Sequence, residues 1–444
     1  MLLLALVLAI GGVVLWRFVG NAPVVSPTPA SSSAGAKSDS ARPAASMVAE
    51  ADPRSIAVLP FLNMSDDKNN QYFADGISEE LLNVLVRVNG FSVASRTSSF
   101  AFKGREVGTP EIAKALKVRY VVEGSVRKQG DEVRITAQLI DASDDRHLWS
   151  ETYDRKLADI FRIQSDIANA IVAAVGKAIG KPGTMPAVAV KADTANLNAY
   201  ESFLKARELF LSRSDLKESI RLYEHAVKLD PNFARGWEGL SAAYSVMPGW
   251  GFVDRDYLSL ADQAAKRALD LDPKLSMAWA VLGSNEQNRD VPDWAKGIEM
   301  LNRAIAVDPH NSTALLWRAV GSLNLGFFDR AIADLDHCLQ LDPHYGNCRT
   351  WKAFAMLQAG QTERALALYD QAMLAGDAQS HTAEFMAASI RHGDRIQAVL
   401  LMQAWGATPR QARVLVAAIG HPESSSPAVA QQLEADFQIR KICL

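Results

Sequence analysis

Four Asp-Pro dipeptides punctuate the second half of the chain, at Asp230-Pro231, Asp272-Pro273, Asp308-Pro309 and Asp342-Pro343. Their separations are 42, 36 and 34 residues. Proline cannot continue a helix, and it pushes the residue before it into extended backbone, so each dipeptide closes one helical unit. A unit of about 34 residues ending in this way holds two antiparallel helices and cannot bury its own apolar face. Such units must stack side by side, each covering the next.

The positions between the dipeptides agree. Counting back from Pro273, Trp237, Leu240, Tyr244, Ala261 and Ala268 take the large and small packing positions once about eight extra residues are assigned to the turn between the helices. Pro248-Gly249-Trp250-Gly251 belongs to that turn. Trp279, Leu282 and Gly283 repeat the W-x2-L-G pattern, with Ala304 ahead of Pro309. Gly326 with Ala331 before Pro343, and Gly360 with Ala365, supply the turn glycine and the small residue at the helix crossing. His392-Gly393-Asp394 with Ala398 marks a sixth, weaker copy. Tyr244, Trp237, Trp279, Trp317 and Trp351 are expected mostly in the core. Trp250, in the long turn, is the candidate partner contact, with loop anchoring as the alternative. From Asn196 to about Ala407 the sequence resembles a tetratricopeptide (TPR) array, which implies an α-α solenoid binding a protein or peptide in its concave groove.

The first half reads differently. Ser55 to Phe61 is a β-branched run, and Ile77 to Val88 has helical apolar spacing, with Ser78 and two glutamates placed near its start to suit the helix dipole. Phe91 to Ala94 is extended, and Thr109-Pro110-Glu111 opens a helix to Leu116. Tyr120–Val126 and Val133–Ile140 flank a hairpin turn at Gly130, with Glu123 placed to pair with Arg134 across it. His147 to Tyr153 is extended, and Ile160 to Ile179 is a long amphipathic helix. Together these make an α/β module with a mixed sheet. Ahead of it, Met1 to Val19 is apolar except for Arg17, which suits an uncleaved membrane anchor, with a signal peptide as the alternative. The sequence thus divides into a transmembrane helix at 1–19, a Pro/Ser/Ala-rich linker at 20–53, the α/β domain at 54–180, a linker at 181–195, the TPR array at 196–408 and C-terminal capping helices at 409–444.

Arg54 to Ile179 is similar to a module found ahead of TPR arrays in bacterial membrane regulators. The stretches SIAVLPFLNMSDDKNNQYFADGISEELLNVL, FSVASRTSSFAFKG, VRYVVEGSVRKQGDEVRITAQLIDA and HLWSETYDRKLADIF carry the resemblance. That module is related to the amino-terminal domain of the TolB translocation protein and to a flagellar outer-membrane-associated protein. The resemblance implies a single-pass inner-membrane protein with a periplasmic bulk. Positive charge at Arg17, Lys37 and Arg42 argues for the opposite, cytoplasmic-facing orientation. In the resembled regulators the output is a class III nucleotide cyclase or a winged-helix DNA-binding domain. Neither is legible in this sequence, which begins at the apolar run. The chain is therefore expected to be a non-catalytic, membrane-anchored scaffold or sensor module in signalling or envelope assembly. The alternative is that it is the regulatory portion of a cyclase or winged-helix regulator whose output is encoded elsewhere or upstream.

Composition sets limits. A formal charge of -3 lacks the basic excess of a nucleic-acid binder, and 48% hydrophobic content excludes a wholly disordered chain. Three cysteines and eight scattered histidines match no metal motif. Asp66, Asp67 and Asp75, and the Thr97-Ser98-Ser99 and Lys103-Gly104 stretches, read as structural loops ahead of cation or anion sites. No catalytic, cofactor or metal residue is assigned, and the chain is expected not to be an enzyme. Cys338 and Cys348, at facing positions of adjacent repeats, are a candidate disulfide that presupposes an oxidising compartment. The oligomeric state is not legible.

Overall fold

The α/β half is built on a six-stranded sheet in the order β3-β1-β4-β5-β6, with β2 also on β4. The computed structural model describes residues 52–181, 183, 193–377, 384, 385, 388, 389, 395–404 and 408. The expected transmembrane helix, nearly all of the 20–53 linker and the C-terminal caps at 409–444 lie outside them. Among the described residues no helix is long and apolar enough to cross a membrane.

Strands β1 (Ser55–Val58), β2 (Leu62–Asn63) and β3 (Ser92–Val93) run parallel to their neighbours, while β4 (Tyr120–Gln129), β5 (Glu132–Asp141) and β6 (Arg146–Lys156) are antiparallel. Side chains alternate between faces as strand geometry requires. Ile56, Val58, Tyr120, Val122, Ile135 and Leu139 face one core, with helices α1 (Gln71–Val86) and α4 (Ile160–Ala178). Ala57, Val121 and Val118 face a second core with Ile112 and Ala113 of α3 (Thr109–Leu116). The short α2 (Arg96–Phe100) lies in a stretch expected to be a loop.

The register corrects one expected pair. Glu123 lies opposite Gln138, and Arg134 lies opposite Arg127. Arg134 instead binds Asp154 on β6 at 2.6 Å, while Glu123 accepts a hydrogen bond from Thr109 Oγ1 at 3.0 Å. Thr109 is the first residue of α3, whose N-cap is Gly108.

Among the described residues the second half forms five antiparallel helix pairs. They are α5 (Leu197–Ser212) with α6 (Leu216–Leu229), α7 (Ala234–Val246) with α8 (Tyr257–Leu271), α9 (Ser276–Gln287) with α10 (Trp294–Val307), α11 (Ser312–Asn324) with α12 (Phe328–Leu341), and α13 (Gly346–Gln358) with α14 (Thr362–Leu374). A further helix, α15 (Arg395–Ala404), carries the buried Ala398 of the sixth copy.

The Asp-Pro dipeptides do the work their chemistry suggests. Asp230, Asp272, Asp308 and Asp342 take extended ψ values of 94°, 103°, 99° and 86°. The Oδ1 of each accepts the backbone N–H two residues on, in Asn232, Lys274, His310 and His344. Leu240, Tyr244, Ala261, Ala268, Leu282, Ala304, Ala331 and Ala365 are buried. Gly326 and Gly360 end their helices at φ 81° and 78°. A side chain on Gly283 would lie 2.8 Å from the Gly297 carbonyl oxygen, so its absence lets α9 and α10 meet.

The tryptophans differ from expectation. Trp237, Trp279, Trp317 and Trp351 are half-buried at the margin of the core. Two of them clasp the preceding turn, Trp237 Nε1 donating to the Pro231 carbonyl at 3.0 Å and Trp279 Nε1 to that of Pro273 at 3.1 Å. An indole N–H needs an acceptor when covered, and the turn carbonyl supplies one only at the surface.

Candidate functional site

First helices of successive pairs pack on one another along the solenoid, whereas each second helix packs on its chain neighbours. The first helices α5, α7, α9, α11 and α13 therefore form the tighter, concave side. That side is where a partner segment would be expected.

Its first two repeats are already occupied by the chain's own α/β module. Asp75, Gly76, Glu79 and Glu80 lie on one side of α1, at the spacing that aligns them along a helix. Glu80 receives a bidentate pair from Arg235 on α7, with both contacts at 2.6 Å. Arg235 Nη1 also donates to Asp193 at 2.6 Å, and its guanidinium lies over the Phe203 ring. Glu79 accepts from Arg207 Nε of α5 at 2.9 Å, and Arg96 of α2 stands 3.2 Å from its other oxygen. Lys128 of β4 pairs with Glu201 of α5. Farther along the array, Ser98 Oγ donates to Asp342 at 3.2 Å.

Apolar packing continues through the same junction. Phe161 of α4 meets Tyr200 of α5 with ring centroids 4.9 Å apart, and Gln164 donates to the Tyr200 hydroxyl at 3.3 Å. A Cβ on Gly76 would fall 2.8 Å from Leu204 Cδ2, which measures how closely α1 and α5 approach. One hydrophobic core runs unbroken from Ile56 in the sheet to Leu282 in the third repeat.

The two glutamates thus serve a purpose other than the expected one. Helix α1 begins at Gln71, so Glu79 and Glu80 sit mid-helix, away from the N-terminal dipole. Burial pushes the Glu79 carboxyl up, but Arg207 and Arg96 outweigh burial and hold it at about 2, below its ordinary 4.5. A carboxylate held low contributes stability that is complete above about pH 4.5 and is lost as the pH falls toward 2. By linkage the amount is on the order of 3 kcal/mol. Urea unfolding between about pH 6 and pH 3 is expected to show this loss, and Glu79→Gln to flatten it. An unchanged pH slope in the variant contradicts the pairing.

The residues read as loops are also accounted for. Asp75 is buried in α1 and pairs with Lys103, Asp66 reaches Arg127 at 3.6 Å, and Asp67 caps a 3-10 turn. Among the described residues no group of His, Cys, Asp or Glu could hold a metal ion.

Comparison with known proteins bears on both halves. Residues 323–388 match the family described as tetratricopeptide repeat. That segment, which takes in α12 and the fifth helix pair, is similar to tetratricopeptide repeats. Residues 52–170 match the second domain of the HilA/YgeH-like transcriptional regulators. A protein named putative adenylate cyclase 3, from Rhizobium meliloti (strain 1021), is 37% identical over 244 residues, covering 53% of this chain and 41% of that protein. The chain thus spans about two fifths of the length of the curated relative it matches. Solved structures with similarity include a thermophilic TPR protein, TTC0263, from Thermus thermophilus, at 19% identity and TM-score 0.36, covering 43% of this chain and 98% of that one. PilW, a type IV pilus biogenesis factor, is similar at 18% identity and TM-score 0.37, covering 55% and 96%.

Within the TPR array, Trp250 closes a 3-10 turn and is 56% exposed. Cys338 of α12 and Cys348 of α13 are both buried and joined by a disulfide, their Cα atoms 6.4 Å apart. What sequence reasoning missed is the set Glu79, Glu80, Arg96, Arg207 and Arg235. The only local signal was a pair of acidic residues on the apolar side of a helix.

Proposed function

We propose that this chain is a non-catalytic interaction scaffold or sensor module, in which the α/β module and the TPR array act as one platform for a protein or peptide partner. The observation that carries the proposal is the repeat array itself, since stacked helix pairs present an extended concave surface suited to peptides. Beyond the seated module, that surface continues over α11 and α13, with Trp317, Trp351 and Phe354 half-buried. The N-terminal apolar run would tether the platform to a membrane. The Cys338–Cys348 pairing supports placing the bulk in an oxidising compartment such as the periplasm.

A photo-crosslinking residue in place of Trp351 tests the reading, with the same residue in place of the exposed Arg303 of α10 as control. A discrete protein adduct from position 351 alone is expected. No adduct, or equal adducts from both positions, contradicts it. Cyclic AMP formed by the purified full chain from ATP and magnesium would overturn the non-catalytic part.

A second reading is favoured by the similarity to a putative adenylate cyclase and to a transcriptional-regulator domain. On it, this chain is the regulatory portion of a regulator whose output domain is a cyclase or a winged helix. An in-frame cyclase or winged-helix coding segment directly upstream of Met1 would favour that reading.

A further inference from the structure

All turns that join a first helix to its second helix lie along one edge of a solenoid, because every first helix runs in the same direction. Among the described residues every departure from the 34-residue period falls on this edge. The second repeat is lengthened between Met247 and Asp256, and the third between Asn288 and Asp293. In repeat proteins, insertions gathered on one face mark that face as a place of contact.

These turns expose apolar side chains instead of the polar residues expected of turns. Trp250 is 56% exposed, Val253 and Val291 85%, and Leu325 and Phe327 41% and 50%. They occupy three consecutive repeats. The opposite edge, built from the Asp-Pro turns, exposes prolines and polar residues, and its exposed large apolar side chains, Val307 at 39% and Leu374 at 90%, lie in two repeats that are not adjacent. A row of this kind is unusual on a surface that meets only water.

The charge around the row is predominantly negative. Asp254, Asp256, Asp290, Asp293 and Asp329 are exposed in or beside the three turns. Asp256 and Asp293 cap α8 and α10, which leaves their charge in place. Of the nearby cations, Arg255 pairs with Glu224, Arg289 with Asp262 and Glu286, and Lys296 with Glu286, while Lys217 stands 4.9 Å from the Phe252 ring. Arg330 lies over the Phe327 ring at 5.8 Å. The edge is therefore apolar with an acidic rim, which disfavours anionic lipid or nucleic acid and suits a cationic partner.

Spacing narrows the partner further. Packed helices lie roughly 8–10 Å apart, so the three turns offer apolar contacts about 10 Å from one another. Seven residues of α-helix span about the same distance. We propose that the turn edge of repeats two to four docks a cationic amphipathic helix of a partner protein, with its apolar residues at i, i+7 and i+14. The proposal rests on the scaffold reading and adds the chemistry of the partner.

The test uses the full chain and two labelled synthetic helices of about 21 residues, followed by fluorescence anisotropy. One carries leucine at i, i+7 and i+14 among lysines, and the other carries the same leucines among glutamates. The lysine helix is expected to bind and the glutamate helix not. The double variant Trp250→Ala, Phe327→Ala is expected to weaken binding about tenfold or more. Asp290→Asn with Asp329→Asn is expected to weaken it and reduce its salt dependence. Circular dichroism melting verifies that both variants are folded. Equal binding of the two helices, or binding unchanged by the Trp250 and Phe327 substitutions, overturns the proposal. Self-association that is lost in Trp250→Ala, Phe327→Ala would assign the edge to a second copy and overturn it too. If neither helix binds while position 351 still crosslinks a partner, the edge proposal fails and the scaffold reading stands.

Discussion

Arg235→Ala is expected to lower the unfolding free energy by about 3–5 kcal/mol, because it strands a buried carboxylate without a partner. Glu80 is 5% exposed and receives both of its charge-assisted bonds from that one guanidinium. Asp193 loses the same donor. Ion pairs at a surface contribute little, but here the side chains are only 15% and 7% exposed, so water cannot replace what is lost. Substituting both partners, Arg235→Met with Glu80→Leu, is expected to recover much of the loss, since apolar groups of similar volume need no compensating charge. Urea midpoints for the two variants measure this. A single variant as stable as the parent, or a double variant less stable than the single, contradicts the buried pairing.

The second large effect concerns separation of the halves. Removing residues 1–180 uncovers the side of α5 that carries Tyr200, Phe203 and Leu204, all buried in the intact chain. Large aromatic and aliphatic side chains bury roughly 150–250 Å² each. Exposing about half of that area for three of them costs roughly 5–10 kcal/mol at about 25 cal/mol per Å². A globular protein rarely has such a margin to spare. The shortened array is expected to aggregate or to unfold without cooperativity in its first repeats, as read by light scattering and by hydrogen exchange in α5 and α6. A monomeric shortened array with full protection in α5 would show that the module is dispensable.

Much of the architecture could be read from the sequence because its causes are local. Pre-proline geometry and the Asp side chain bonding two residues onward act within a few residues, so the repeat boundaries at Asp230, Asp272, Asp308 and Asp342 are legible. Strand alternation and the turn glycine at Gly130, with φ 59°, act over a similar range. The start of α1 was harder to place, since Gln71 to Gly76 contains two aromatics and a glycine, all weak helix formers.

The seating of the module on the array has causes of another kind. Glu79 meets Arg207 across 128 residues, Glu80 meets Arg235 across 155, and Ser98 meets Asp342 across 244. Nothing in the periodicity of either segment links those positions. The same limit explains the expected Glu123–Arg134 pair, where the strands were placed correctly but the cross-strand register joins Glu123 to Gln138. For the candidate site, the consequence is a change of geometry. The concave side is occupied at its first two repeats by the chain itself, which also reaches Asp342 ahead of α13, so the partner proposed above is left the rest of α11 and α13 and the turn edge.

Carbodiimide crosslinking tests the seating most directly, because it joins a lysine to a carboxylate only when the two are in contact. Lys128 of β4 and Glu201 of α5 form such a pair across the junction, and Lys352 and Asp336, 2.5 Å apart within the repeats, provide an internal control. Peptide mass spectrometry of the full chain is expected to find both linkages. Recovery of the Lys352–Asp336 linkage without Lys128–Glu201 would contradict a module seated on the array.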